Sequence, residues 1–163
     1  MSYPRIFFRS PETCTGCHIC EMVCSLNHEK IGVNPKRSRI RIISVPEKGV
    51  MFPVVCRFCE KAPCIAACPK KALSKNVKKG VIMVDEDKCV GCGRCMEVCE
   101  FGGITIHPMK KTAMVCDLCG GEPLCVKYCV DEAIIFLKPE EYVVAKGRAL
   151  IDKTESSIWP GPP

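Results

Sequence analysis

Sixteen cysteines fall into four groups of four with none left over, and no other feature of this 163-residue chain constrains its fold so tightly. The first group is Cys14, Cys17, Cys20 and Cys24, spaced C-x2-C-x2-C-x3-C. The second, Cys56, Cys59, Cys64 and Cys68, is spaced C-x2-C-x4-C-x3-C. The third, Cys89, Cys92, Cys95 and Cys99, repeats the first spacing, and the fourth, Cys116, Cys119, Cys125 and Cys129, widens the middle gap to five. Such recurrence marks an internal repeat, so each group is one version of the same local structure.

Cysteine at this density serves disulfides, zinc or iron–sulfur clusters. Disulfides need an oxidising compartment. The stretch Met1-Ser-Tyr-Pro-Arg-Ile-Phe-Phe-Arg9 has neither the apolar core nor the small-residue cleavage site of a secretory signal. No run approaches a transmembrane span. The expectation is a cytoplasmic protein, not inserted in a membrane, whose thiols stay reduced. Zinc ribbons use two C-x2-C pairs, not triplets with a fourth cysteine four residues on. In C-x2-C-x2-C the loop wraps three thiolates round one iron–sulfur cube. The turn carrying the fourth leads away, and in two-cluster ferredoxins that fourth cysteine ligates the neighbouring cluster. Four complete motifs therefore predict four [4Fe–4S] clusters. Sixteen cysteines fill sixteen iron corners. That argues for outer-sphere electron transfer, with no catalytic site of the chain's own.

The formal charge of +6 invites a nucleic-acid reading. Ligating thiols are deprotonated, however, and sixteen thiolates set against four cationic cores bring the holoprotein close to neutral. No basic stripe with interleaved aromatics appears, which argues against nucleic acid.

Between the groups the chain reads as hairpins. Residues 39–45 alternate and are β-branched, and 50–55 follow a Pro-Glu-Lys-Gly turn. Residues 72–74 and 81–84 flank a Lys/Gly-rich turn, and 104–106 with 112–115 make a shorter pair. Each fourth cysteine is expected near a short helix, over 20–26, 63–68, 95–101 and 124–128. Helices this short are not stable alone, and apolar supply is modest, with one Trp and three Tyr. The clusters must pin them. The tail from Asp152 to Pro163 is Ser-, Pro- and Gly-rich and reads as extended or frayed. Trp159 within it, and the short N-terminal strand, are the candidate docking surfaces.

Gly16, Gly91, Gly93 and Gly120 lie between ligands, where a small residue lets backbone N–H groups approach sulfur. His18, between Cys17 and Cys20, either tunes a cluster or faces solvent beside it. His28 and His107 carry no sequence signal. Phe58, Phe101 and Tyr128 stand near ligands and are expected to shield clusters from water.

The chain resembles the four-cluster electron-transfer subunits of molybdenum and tungsten oxidoreductases. Cys56-Arg-Phe-Cys-Glu-Lys-Ala-Pro-Cys64 through Cys68-Pro69 is similar to the second motif of the beta subunits of dimethyl-sulfoxide-reductase-type enzymes. Val115-Cys-Asp-Leu-Cys-Gly-Gly-Glu-Pro-Leu-Cys125 is similar to their fourth. Cys14-Thr-Gly-Cys-His-Ile-Cys-Glu-Met-Val-Cys24-Ser-Leu-Asn-His28, with Asn34-Pro35 and Ser38-Arg-Ile40, resembles the small subunits accompanying tungsten aldehyde oxidoreductases and tungsten benzoyl-CoA reductases. Cys68 is followed by the family's proline, whereas Cys24, Cys99 and Cys129 are not.

The resemblance implies an α+β fold of two pseudo-symmetric bacterial-ferredoxin-like domains, one nested in the other. The outer domain spans residues 1–55 and 108–153, the inner 56–107, and 154–163 is a tail. In that family the outer motifs pair together and the inner motifs pair together. Cys14, Cys17, Cys20 and Cys129 would then hold one cluster, and Cys116, Cys119, Cys125 and Cys24 its neighbour. Cys56, Cys59, Cys64 and Cys99 would hold the third, and Cys89, Cys92, Cys95 and Cys68 the fourth. The implied function is a wire between a large tungsten- or molybdenum-pterin catalytic subunit and another carrier, such as a flavin subunit or a soluble ferredoxin. The alternatives are a free-standing polyferredoxin, or a subunit of a dimethyl-sulfoxide-reductase-type, formate or hydrogenase complex.

Overall fold

In the computed structural model, which describes residues 3–158, each run of β-branched residues finds one antiparallel partner. β1 (Arg5–Phe8) pairs with β8 (Ile134–Leu137), setting Ile6 opposite Phe136 and Phe8 opposite Ile134. β2 (Arg41–Val45) pairs with β3 (Val50–Val54) through a turn that ends at Gly49, whose φ of 59° suits glycine. β4 (Leu73–Lys75) pairs with β5 (Ile82–Val84), and β6 (Ile104–Ile106) with β7 (Ala113–Val115). The last three are the expected hairpins. The first joins distant parts of the chain, and it buries Ile6 to 2% exposure.

A helix stands in each cysteine group, but among the described residues the first alone carries its fourth cysteine; the other three carry the third, and Cys68, Cys99 and Cys129 lie past their ends. α1 (Ile19–Glu29) carries Cys20 and Cys24. α2 (Pro63–Ala66), α3 (Arg94–Glu97) and α4 (Leu124–Lys127) are single turns. α1 runs past its expected end at Leu26 and stops at Lys30, whose left-handed backbone returns its N–H to Leu26 O at 3.0 Å. α5 (Pro139–Ile158) corrects the sequence reading, because residues 152–158 are helical and not extended. Pro139 at its start and Glu140 and Glu141 in its first turn favour a helix N-terminus. Tyr142 anchors it, stacking on Phe7 at 4.0 Å and 9° and donating from its hydroxyl to Phe8 O at 3.3 Å. Trp159 lies outside the described residues.

Two apolar clusters form the interior, and cysteine takes part in both. One gathers Ile6, Ile40, Val55, Phe58, Leu118 and Ile134 around Cys20, Cys24, Cys116 and Cys125. The other gathers Leu73, Ile82, Ile104, Ala113 and Val115 around Cys95. Segment 34–42 is bolted to α1 by a buried hydroxyl and a buried carboxylate. Ser25 Oγ donates to Met22 O at 3.0 Å and accepts from Asn34 N–H at 3.1 Å, and Glu21 Oε1 accepts from Ile42 N–H at 2.8 Å. This bolt places Arg39 beside Cys24. Among the described residues, no helix is long and apolar enough to cross a membrane.

Candidate metal centres

The repeat seen in the cysteine spacing is also written in the backbone. The second residue after the first cysteine of each group is left-handed: Gly16 at φ 70°, Phe58 at 52°, Gly91 at 65° and Leu118 at 58°. Phenylalanine and leucine enter that region against steric resistance, so their surroundings must hold them there. The turn aims main-chain N–H groups at sulfur. Phe58 N–H donates to Cys56 Sγ and Leu118 N–H to Cys116 Sγ, both at 3.4 Å. Ala72 N–H reaches Cys68 Sγ at 3.3 Å, and Ala113 N–H reaches Cys89 Sγ at 3.2 Å. Three residues beyond the fourth cysteine a left-handed residue recurs, as Lys71 at 51°, Gly102 at 60° and Glu132 at 48°.

Folding regroups the cysteines. Cys14, Cys17 and Cys20 share one cavity with Cys129. Cys56, Cys59 and Cys64 share another with Cys99, and Cys89, Cys92 and Cys95 a third with Cys68. Cys116, Cys119 and Cys125 each lie within electrostatic reach of Cys24. Each set thus combines three cysteines of one group with the last cysteine of another. Gly103 brings the Cys99 segment against the second group so closely that a Cβ there would stand 2.5 Å from Cys56 Cα.

The sulfurs of a set oppose one another's ionisation. Burial first, then the charge of Glu21 and of Cys17 and Cys129, pushes the Cys20 thiol up to about 12. Burial also lifts Cys56 to about 12 and Cys95 to about 11, with neighbouring cysteines adding to the shift. Cys14, Cys64, Cys116, Cys119 and Cys125 are raised mainly by burial too. Soft sulfur donors gathered four to a set, with the buried thiols named above reluctant to ionise unless a cation joins them and with N–H donors at sulfur, suit an iron–sulfur cube.

Cys24 behaves differently. Burial would raise its thiol, but hydrogen bonds from His28, the Arg39 backbone and Ser38 outweigh it and hold it below its ordinary value. His28 Nδ1 stands 2.7 Å from Cys24 O and 3.8 Å from Cys24 Sγ, while Nε2 faces Asp117 Oδ1 at 3.1 Å. Both ring nitrogens face acceptors, so both carry protons. Burial disfavours that imidazolium, yet donation first to Asp117 and then to Cys24 raises its pKa to about 9. Burial would likewise lift the Asp117 carboxyl, but His28 and then Arg39 hold it well below the usual carboxylate range. Arg39 Nη1 reaches Asp117 Oδ2 at 2.6 Å.

His28 is the residue that sequence reading missed, because its role depends on Asp117, far away in the chain. His107 is structural. Its buried ring donates from Nε2 to Glu29 Oε1 at 3.0 Å and accepts at Nδ1 from Met109 and Lys110 N–H at 3.2 and 3.1 Å. His18 is half-exposed and held by Glu21 Oε2 at 2.6 Å. Of the aromatics expected to shield, Phe58 is buried and Tyr128 is exposed. Phe101 is exposed under Arg57, whose guanidinium lies 5.6 Å from the ring centre, and it lines the cavity of Cys56.

A protein family described as a 4Fe-4S dicluster domain matches residues 47–139. The chain is 42% identical over 120 residues to the polyferredoxin-like subunit of an aliphatic sulfonate oxidoreductase from Pyrococcus furiosus, covering 74% of this chain and 68% of that one. It is 32% identical over 166 residues to an iron–sulfur protein of Rhodospirillum rubrum, covering 86% and 85% of the two chains. A solved active-site complex BamBC of benzoyl coenzyme A reductase, with 1,5-dienoyl-CoA, contains a similar chain. It aligns with TM-score 0.52 and 27% identity over 85% of this chain and 77% of that one.

Proposed function

The chain belongs to the 4Fe-4S dicluster domain family, and from that premise we propose that it is a non-catalytic electron-transfer subunit holding four [4Fe–4S] clusters in series. The residues proposed to hold them are the four sets that share cavities or electrostatic contact. These are Cys14, Cys17, Cys20 and Cys129; Cys24, Cys116, Cys119 and Cys125; Cys56, Cys59, Cys64 and Cys99; and Cys68, Cys89, Cys92 and Cys95. When bound, such clusters store and release single electrons without making or breaking a bond.

The observation that carries this reading is the order of the sets. Cys125 feels the charge of Cys20, Cys116 that of Cys56, and Cys95 that of Cys64. Each contact joins one set to the next, so the four follow one another in a line that starts at Cys17 and ends at Cys92, the two exposed cysteines. A line whose two ends each carry an exposed cysteine, and whose middle members carry none, suits passage from one partner to another. The chain's own residues supply the placement, the apolar surroundings that exclude water, and the N–H donors at sulfur.

In finer detail, residues 56–107 are proposed as an inner ferredoxin-like unit nested within an outer one formed by 1–55 and 108–153. The β1–β8 pairing, which ties the outer segments together, supports that division. The proposed companion is a tungsten- or molybdenum-pterin catalytic subunit of the aldehyde-oxidoreductase or benzoyl-CoA-reductase kind. The sequence resemblance supports it, as do a relative and a structural neighbour that are themselves parts of oxidoreductase complexes. A reducing compartment, the cytoplasm, suits sixteen thiols without disulfides.

The test is anaerobic purification from the native cell, counting iron, sulfide, zinc, tungsten and molybdenum per chain. About sixteen irons and sixteen sulfides with a tungsten- or molybdenum-bearing companion is the expected result. The same iron without a companion would replace the subunit reading with a free polyferredoxin. Zinc without sulfide would overturn the electron-transfer reading.

A further inference from the structure

The two exposed ends of the line differ in charge. Within two residues of Cys14, Cys17, Cys20 and Cys129 the charged side chains are Glu12, Glu21, Asp131 and Lys127. Asp131 lines that cavity and accepts from Thr15 Oγ1 at 2.7 Å. Glu132 follows it, and the nearby Arg9 is tied to Glu132 at 3.0 Å.

At the Cys92 end the sign reverses. Lys70 lines the cavity shared by Cys68, Cys89, Cys92 and Cys95, and Lys71 projects from the left-handed turn beside it. Arg94 follows Gly93 at the start of α3. The Lys111 backbone lies so close to Gly91 that no Cβ would fit between them. All four cations are exposed, and among the described residues no carboxylate pairs with them. Of the nearby acids, Asp85 is engaged by Lys88 at 2.6 Å and Glu86 by Lys110 at 3.3 Å, which leaves Asp87 and Glu97 against these four cations. Both ends carry an exposed valine, Val90 at 61% and Val130 at 79%, so charge is what tells them apart.

We propose that the rim formed by Lys70, Lys71, Arg94 and Lys111 around Cys92 is the docking surface for a small, acidic, one-electron carrier protein. The inference rests on the reading that Cys68, Cys89, Cys92 and Cys95 hold a cluster. Unpaired exposed cations steer an acidic partner and set its orientation, and Val90 offers the apolar spot that closes the contact. Long-range attraction of this kind fades as salt shortens the screening length. At the Cys17 end Arg9 already offsets Glu132 and the remaining acids outnumber Lys127, so an acidic carrier gains no attraction there, which leaves that end for the catalytic subunit. A nucleic acid fits the rim less well, since no aromatic side chain stands among its cations for bases to stack on. The exchange balances simply: the carrier loses one electron, the docked chain gains one, and no bond or proton moves.

The experiment uses the anaerobic holoprotein and an acidic bacterial ferredoxin as probe. Binding is measured by calorimetry with both proteins oxidised, and electron exchange is followed by stopped flow, across a range of salt. Lys70→Glu combined with Lys111→Glu is expected to weaken binding roughly tenfold or more and to remove most of its salt dependence. Glu132→Lys, at the other end, is expected to leave binding within about twofold. Binding unchanged by the lysine reversals, or strengthened by Glu132→Lys instead, would overturn the assignment of this end. Iron content and dithionite bleaching, measured on the same samples, separate the two levels. Full iron with unaltered binding in the lysine variant defeats the docking proposal alone, whereas missing iron in the wild-type protein defeats the cluster reading beneath it and the docking proposal with it.

Discussion

The backbone N–H of Arg39 donates to Cys24 Sγ at 3.3 Å. The same residue's guanidinium grips Asp117, which in turn orients the ring of His28 beside that sulfur. One arginine thus serves Cys24 twice, directly through its main chain and indirectly through two side chains. Hydrogen bonds and positive charge at a ligand sulfur favour the more negative, reduced state of a cluster, and so raise its potential.

Replacing His28 is therefore expected to lower the potential of one centre, the one proposed to include Cys24, and of no other. A lost hydrogen bond to a charged group is worth about 1.5 kcal/mol, which corresponds to about 60 mV for a one-electron couple. A redox titration of His28→Leu followed by electron paramagnetic resonance should show one component displaced downward by tens of millivolts. His28→Gln, which keeps a neutral donor, should fall between the variant and the wild type. Uniform displacement of all components would refute a local role.

The regrouping of the cysteines makes an asymmetric prediction for two replacements within neighbouring sets. Cys129→Ala should free Cys14, Cys17 and Cys20 for alkylation and leave Cys116, Cys119 and Cys125 protected. Cys24→Ala should do the reverse, although Cys24 belongs by spacing to the first group. Mass-spectrometric mapping of alkylated thiols under anaerobic conditions reads the outcome directly. Joint release of Cys14 and Cys24 in either variant would contradict the exchange.

Gly103 has no room for a side chain. An added Cβ would meet Cys56 Cα at 2.5 Å, Cys56 N at 2.8 Å and Val55 C at 3.0 Å, all backbone atoms that no rotamer change can move. Gly103→Ala should cost about 1–3 kcal/mol, read as a fall of several degrees in Tm. Gly147, in α5 with nothing within 4 Å, provides the contrast. There Gly→Ala should be neutral or stabilising by up to about 1 kcal/mol.

Glu29 supplies a pH-dependent brace. It accepts from His107 at 3.0 Å and pairs with Arg37 at 3.1 Å. Its pKa is lowered from 4.5, chiefly by the His107 hydrogen bond and against the opposing effect of burial. A carboxylate with a depressed folded pKa stabilises the fold above its unfolded value, and loses that contribution as pH falls through the folded one. The Tm difference between wild type and Glu29→Gln should be constant above about pH 5 and shrink as the solution is acidified further. A difference that grows with acid would exclude the carboxylate as its source.

Local spacing made much of this structure readable in advance. The hairpin between Ala72 and Val84 follows from two short extended runs around a turn, and the helices at Cys64, Cys95 and Cys125 follow from a fourth ligand four residues on. Features that depend on distant partners were not readable. β1 is legible as a strand, but its pairing with Ile134–Leu137 leaves no mark in either segment alone. α5 is too polar for its periodicity to stand out, and its docking rests on Tyr142 meeting Phe7 from the opposite end of the chain. His28 looks idle in the sequence because Arg39 and Asp117 reach it only after folding.

The pairing of Arg5–Phe8 with Ile134–Leu137 also orders events during synthesis. A ribosome releases the second, third and fourth cysteine groups before β8 exists, so Phe8 and the loop bearing Cys14 must wait for nearly the whole chain. Residues 56–107, by contrast, hold all the cysteine partners of the second and third groups, pair β4 with β5 among themselves, and need only β7, a few residues further on, for β6. The middle of this protein is positioned to mature first, with its two flanks closing over it last.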